Sequence, residues 1–167
     1  FEEVTAFGFT LLALGSSAMQ SANAMIMQIT HPQIHKTAGK EIEQHVYLSI
    51  AASIATVLIF LMANEYIFKN ILSPTFSPFR HFFYVGVAFE LLNAILGAVA
   101  ISLNYLKLEN ILIISYVKYL PILLATYLIT HLTFSTGYEL AALSYLCVIT
   151  LVVYLKTLNA QKLSNYE

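Results

Sequence analysis

The sequence predicts an all-α, polytopic membrane helical bundle of five transmembrane helices, with the N-terminus outside and the C-terminus inside. Three observations predict it. First, the 167 residues are 59% hydrophobic and 10% charged, with a mean hydropathy of +0.75, whereas soluble domains run about 45–50% apolar and about 25% charged. Second, five stretches approach or exceed the ~20 apolar residues that a helix needs to cross a bilayer. Third, the cations fall unevenly on the two sides. Lys36, Lys40, Lys107, Lys156 and Lys162 occupy the connections after the first, third and fifth stretches. Only Lys69 and Arg80 fall on the other side. The positive-inside rule then sets the orientation.

The five predicted spans are residues 6–29, 46–66, 82–103, 111–132 and 138–155. His31-Pro32 is expected to end the first. Ser73-Pro74 and Ser77-Pro78 separate the second from the third, and residues 104–110 the third from the fourth. Thr133–Gly137 reads as a short turn before the fifth. The runs are too long and too rich in Leu and Ile for strands, and the alternation of a membrane barrel is absent. No linker divides the chain, so residues 1–167 are expected to form a single transmembrane helical domain. Opening on Phe1, with no basic leader or cleavage-like signal, is expected of a processed or partial chain.

The first span is polar for its setting. Ser17, Gln20, Ser21 and Asn23 make a candidate helix-packing polar face in its second half. Ser17 with Ser21 and Ala18 with Ala22 are small residues four apart, which let helices approach closely in lipid. Tight packing near the centre of the bundle is the plain reading. A polar pathway or ligand wall is the alternative.

The third span carries Gly86, Glu90, Asn93, Gly97 and Asn104 at helical spacing, so polar and small groups share one face. Ionisable groups at membrane depth are costly and usually face protein or water, so this face is expected to be buried. Lys118 is a second intramembrane charge, in the fourth span. A short loop joins the third and fourth spans, which are therefore expected to be antiparallel neighbours. At 1.5 Å per residue, Glu90 and Lys118 each lie roughly 12 Å in from opposite surfaces. In a core of about 30 Å that leaves roughly 6 Å between them. This places Glu90 and Lys118 as an ion-pair candidate, with Asn93 beside them, because two buried charges cost less as a hydrogen-bonded pair than singly. A structural pin between helices is the plain role, and a proton or ion relay the functional one. Pro121, inside the fourth span, removes a backbone donor and is expected to kink it beside Lys118.

Other chemistry is sparse. The single cysteine, Cys147, excludes a disulfide framework within the chain. No phosphate loop, nucleophile elbow or metal-hydrolase motif occurs. His31, His35 and His45 fall in one predicted connection, where Pro32 argues against helix. They read as solvated loop histidines rather than a zinc site, and no metal is predicted. His81 and His131 both lie near the outer side, the arrangement a haem would need. The formal charge of −1 offers no nucleic-acid surface. The eleven tyrosines serve as interface anchors and packing groups. No cofactor is required by these residues, although bound lipid is expected.

The layout resembles the first five helices of the microbial rhodopsins. The stretch Pro78-Phe79-Arg80-His81-Phe82-Phe83-Tyr84 opens the third span, where that family has an arginine, a carboxylate three residues on and then an aromatic. Arg80 matches that pattern, Tyr84 stands where a Trp is usual, Phe83 stands at the carboxylate position, and the family's following Thr and Pro are absent. The resemblance implies a retinal-type bundle, but the family's retinal lysine belongs to a seventh helix that this chain lacks, and Lys118 lies on a different helix. Tyr84-Val85-Gly86-Val87-Ala88 also resembles the motif opening the third helix of the small five-helix membrane subunit of respiratory complex I, the sixth mitochondrially encoded subunit. That resemblance implies an accessory subunit of an energy-transducing membrane complex. The expectation is a non-enzymatic subunit of a larger membrane complex, in a mitochondrial inner membrane or a bacterial or plasma membrane. Its partners would be the lipid bilayer and other membrane subunits. The alternative is an ion-translocating or photoreceptor-type bundle.

Overall fold

The computed structural model describes residues 2–134 and 138–164, which form helices and no strand. They are α1 (Glu2–Lys36), α2 (Ile42–Tyr66), α3 (His81–Tyr105), α4 (Asn110–Lys118), α5 (Leu120–Phe134) and α6 (Tyr138–Ser164). A π-helical turn, Ile67–Ile71, prolongs α2, and a 3-10 turn, Pro74–Phe79, leads into α3. Among the described residues four helical stretches are long and apolar enough to cross a membrane: Ile42–Ile71, His81–Tyr105, Asn110–Ile129 and Ala141–Leu163. The protein has the marks of an integral membrane protein. α1 is the longest helix at 35 residues but is not one of the four.

Two boundaries differ from expectation. His31-Pro32 does not end the first helix, which runs on to Lys36. A proline removes its own donor and crowds the carbonyl one turn back, but the turns beyond it are held from outside. Ile34 is fully buried, and Thr37 returns both its N–H and its hydroxyl to the Gln33 carbonyl at 3.0 Å. The chain then reverses at Ala38 and Gly39, with φ of 51° and 82°. The Gly39 carbonyl accepts from Ser102 Oγ on α3 and from Gln161 Nε2 on α6. Gln161 also donates to Ser102 at 2.8 Å. This one turn therefore ties together one end of α1, α3 and α6. The fourth predicted span is broken as Pro121 implies: α4 stops at Lys118 and α5 starts at Leu120. Of the turn expected at Thr133–Gly137, residues 135–137 lie outside the described chain.

The closest packing is between α1 and α3. Their contacts ascend together, Gly8 with Phe82, Gly15 with Phe83, Asn23 with Glu90 and His35 with Tyr105, so the two helices run parallel. A methyl group placed on Gly15 would lie 2.0 Å from the Phe83 carbonyl oxygen, and one on Gly86 would lie 2.1 Å from that of Leu12. Only glycine allows backbones this close. α2 runs antiparallel to α1, with Thr30 against His45 and Met19 against Thr56. Phe60 of α2 stacks on Phe83 of α3 with ring centroids 3.8 Å apart. Phe7 meets Phe76 and Phe79, which folds the α2–α3 connection onto the start of α1. On its other side α3 packs against α6, and α6 carries α4 and α5 on its far face.

The glycine contacts can be tested by adding carbon. An extra group in a tight core usually costs about 1–3 kcal/mol. At Gly15 and Gly86 the obstacle is backbone, so Gly15→Val or Gly86→Val is expected to lower stability by about 3 kcal/mol or more. Nothing lies within 4 Å of a Cβ at Gly97. Gly97→Ala is therefore expected to be neutral or to gain up to about 1 kcal/mol of helix propensity. Denaturant titration in micelles measures all three.

Candidate functional site

The polar face of α3 divides in two. Gly86 is buried under α1, and Glu90 is half-buried. Further along the same face Asn93 and Asn104 are exposed, and Gly97 opens onto empty space. α1 covers this face at Gly86 and has moved off it beyond Glu90, because its later contacts to α3 are through Ser102 and Tyr105, which lie round the helix. The expectation that the whole face is buried within the chain thus holds for its first turn and fails for the rest.

Glu90 and Lys118 do not meet. Among the described residues the one salt bridge is Glu65–Lys69, at 3.3 Å on the surface. The predicted adjacency of the third and fourth helices is the step that fails, since α6 stands between α3 and the α4–α5 pair. Lys118 is exposed, with its ammonium 5.8 Å from the ring centroid of Tyr119, a cation–π contact that keeps the charge near an aromatic face. The Glu90 backbone carbonyl accepts a hydrogen bond from Asn23 Nδ2 at 3.2 Å.

Of the polar group on α1, only Asn23 faces inward, at 1% exposure. Ser17, Gln20 and Ser21 are exposed, and Ser21 Oγ returns to the Ser17 carbonyl at 3.0 Å. The packing face runs instead through Gly8, Leu11, Gly15, Met19, Asn23, Thr30 and Ile34. Glycines outcompete the serine and alanine pairs because they carry no Cβ to hold the backbones apart.

Asn23 belongs to a polar seam between α1 and α2. Thr30, His45 and Ser49 are each at most 1% exposed, and Ser53 is 9% exposed. Thr30 Oγ1 donates to the Ile26 carbonyl at 2.8 Å and lies 2.5 Å from His45 Nδ1. Among the described residues Asn23 Oδ1, Ser49 Oγ, His45 Nε2 and His31 Nε2 are buried without a protein partner. His31 stacks on His45 with ring centroids 5.5 Å apart, and His35 Nδ1 meets the Tyr105 hydroxyl.

All three histidines are helical rather than in a loop, and two are not solvated: His31, in α1, is half-buried and His45 is fully buried in the first turn of α2, while His35, also in α1, is exposed. A signal for this was present: His45, Ser49 and Ser53 recur every four residues, and Asn23 and Thr30 are two helical turns apart. No group of three or more His, Cys, Asp or Glu among the described residues is arranged to hold a metal. His81 is exposed beside Phe82, and the side chain of His131 lies outside the described set.

His31 gives the seam a pH dependence. Burial, and secondarily the charge of His35, pushes its pKa below the ordinary value of 6.5. The unfolded chain then takes up the proton first, so stability is full above about pH 6.5 and falls as the pH drops toward the folded value. Unfolding at stepped pH between about 7.5 and 5 should show that decline. His31→Asn should make it shallower.

No protein-family model, curated protein or solved structure matches the chain, so its own residues carry the functional reading.

Proposed function

We propose that the chain is a non-enzymatic integral membrane subunit of a larger membrane complex, with α1 as a fifth crossing, the N-terminus outside and the C-terminus inside. One observation carries this reading. Asn93 and Asn104 are exposed, with the open position Gly97 between them on the same face of a helix fit to span a membrane. Against lipid, the Asn93 amide would face a solvent with no hydrogen-bonding capacity, at a cost of several kcal/mol per unsatisfied group. Another transmembrane helix resolves the cost. The open notch at Gly97 admits its backbone, and the Asn93 amide supplies hydrogen bonds on both its donor and acceptor sides. The partner covers on the second half of α3 what α1 covers on the first. An energy-transducing complex is the setting that the Tyr84–Ala88 resemblance favours.

A second reading, the ion-translocating or photoreceptor-type bundle, is favoured by the buried seam of Asn23, Ser49, His45 and His31, which aligns titratable and hydrogen-bonding groups along the bundle. Visible absorption of the purified protein, or proton flux into vesicles, would support it.

The first reading predicts that the protein extracted in mild detergent migrates with partners, well above its own 18.6 kDa. Asn93→Leu should release it from them while its far-UV helical signal persists. Native mass spectrometry measures the outcome. A lone wild-type chain that Asn93→Leu stabilises would overturn the reading.

A further inference from the structure

An apolar groove of about 380 Å³ opens on the surface between α2, α3 and α6. Val46, Leu92, Ile95, Cys147, Leu151 and Tyr154 line it. All lie on helices fit to cross a membrane, so hydrocarbon is the surrounding medium. What singles this groove out is its mouth. Glu43, Val46 and Tyr47 share one face of α2 by their three- and four-residue spacing. Glu43 lies in the first turn of that helix, one turn before Val46, and Tyr154 lines the groove itself. Glu43 is exposed and makes no salt bridge among the described residues. One carboxylate and two phenols therefore stand where the apolar groove ends. Lys36, Lys40 and Lys156 lie at the same end of the bundle.

We infer that this groove is a binding site for one phospholipid with a zwitterionic, ammonium-bearing headgroup of the phosphatidylethanolamine class. An acyl chain fills the groove. The ammonium sits against Glu43 and the rings of Tyr47 and Tyr154, which attract a cation by charge and by their π faces. The phosphate turns toward the lysines. A purely anionic lipid would meet the same lysines but would bring no partner to Glu43. This inference rests on the membrane placement of the chain and is independent of whether it is a subunit of a complex.

The test uses the whole chain in nanodiscs containing equal amounts of phosphatidylethanolamine and phosphatidylglycerol, followed by native mass spectrometry of the lipid retained on release. Recovery of the chain in the bilayer fraction checks its membrane placement separately. The expected result is one retained phosphatidylethanolamine, favoured over phosphatidylglycerol by about tenfold, the scale of one charge-assisted contact. Glu43→Gln should keep a bound lipid but lose the preference. Leu151→Trp should fill the groove and lose the lipid. Cys147, the sole cysteine, gives a second readout, since its alkylation by a membrane-soluble maleimide should be slower in nanodiscs that contain phosphatidylethanolamine than in nanodiscs of phosphatidylglycerol alone. Retention that ignores Leu151→Trp, a phosphatidylglycerol preference, equal retention of the two lipids, or displacement by soluble phosphoethanolamine in place of lipid would each overturn the proposal. So would a chain that fails to enter the bilayer.

Discussion

Two glycines let two backbones touch, and much of the bundle is arranged around that contact. Gly15 on α1 meets the Phe83 carbonyl, and Gly86 on α3 meets the Leu12 carbonyl. In a bilayer, where lipid is as apolar as leucine, van der Waals fit replaces the hydrophobic effect as the force between helices. A long contact at backbone distance is therefore worth more there than a wider interface of larger side chains. It fixes α1 and α3 as a parallel pair. α2 then fits against both, with Phe60 stacked on Phe83 at one end and His45 held by Thr30 toward the other.

The same contact decides what is left over. Because α1 presses on α3 at Gly86 and then moves round it toward Ser102 and Tyr105, the notch at Gly97 stays open beside Asn93 and Asn104. Because α6 occupies another side of α3, α4 and α5 become the outermost layer and Lys118 is carried away from Glu90. The groove between α2, α3 and α6 lies beside the same pair: α3 and α6 are tied together at the Gly39 turn through Ser102 and Gln161, and a space remains between them and α2. Thus the uncovered polar stripe, the apolar groove and the separation of the two charges all follow from one arrangement of helices.

Much of the fold was legible in the sequence because hydropathy is a local property. The apolar runs gave the helices, and Pro121 gave the break between α4 and α5, since a missing donor acts within one turn. The neighbour order was not local. Nothing in the short α3–α4 connection tells that α6 will dock on α3 first. Pro32 misled for the complementary reason: its cost is local, but the burial of Ile34 and the Thr30–His45 contact that outweigh it join residues distant along the chain. His45 read as a loop residue because the charged stretch before it hid the start of α2. Its spacing from Ser49 and Ser53 held the better clue. On α1 the serine and alanine pairs drew attention as small residues, while Gly8 and Gly15, seven apart, marked the true seam.

The central claim is that α1 and α3 are in backbone contact at Gly15 and Phe83. Solid-state NMR of the chain in lipid bilayers, labelled with ¹³C at Gly15 Cα and at the Phe83 carbonyl, measures it directly. The account predicts a strong dipolar cross-peak between the two labels, retained in the presence of unlabelled protein as an intramolecular contact must be. The absence of that cross-peak in folded, helical protein would contradict the account.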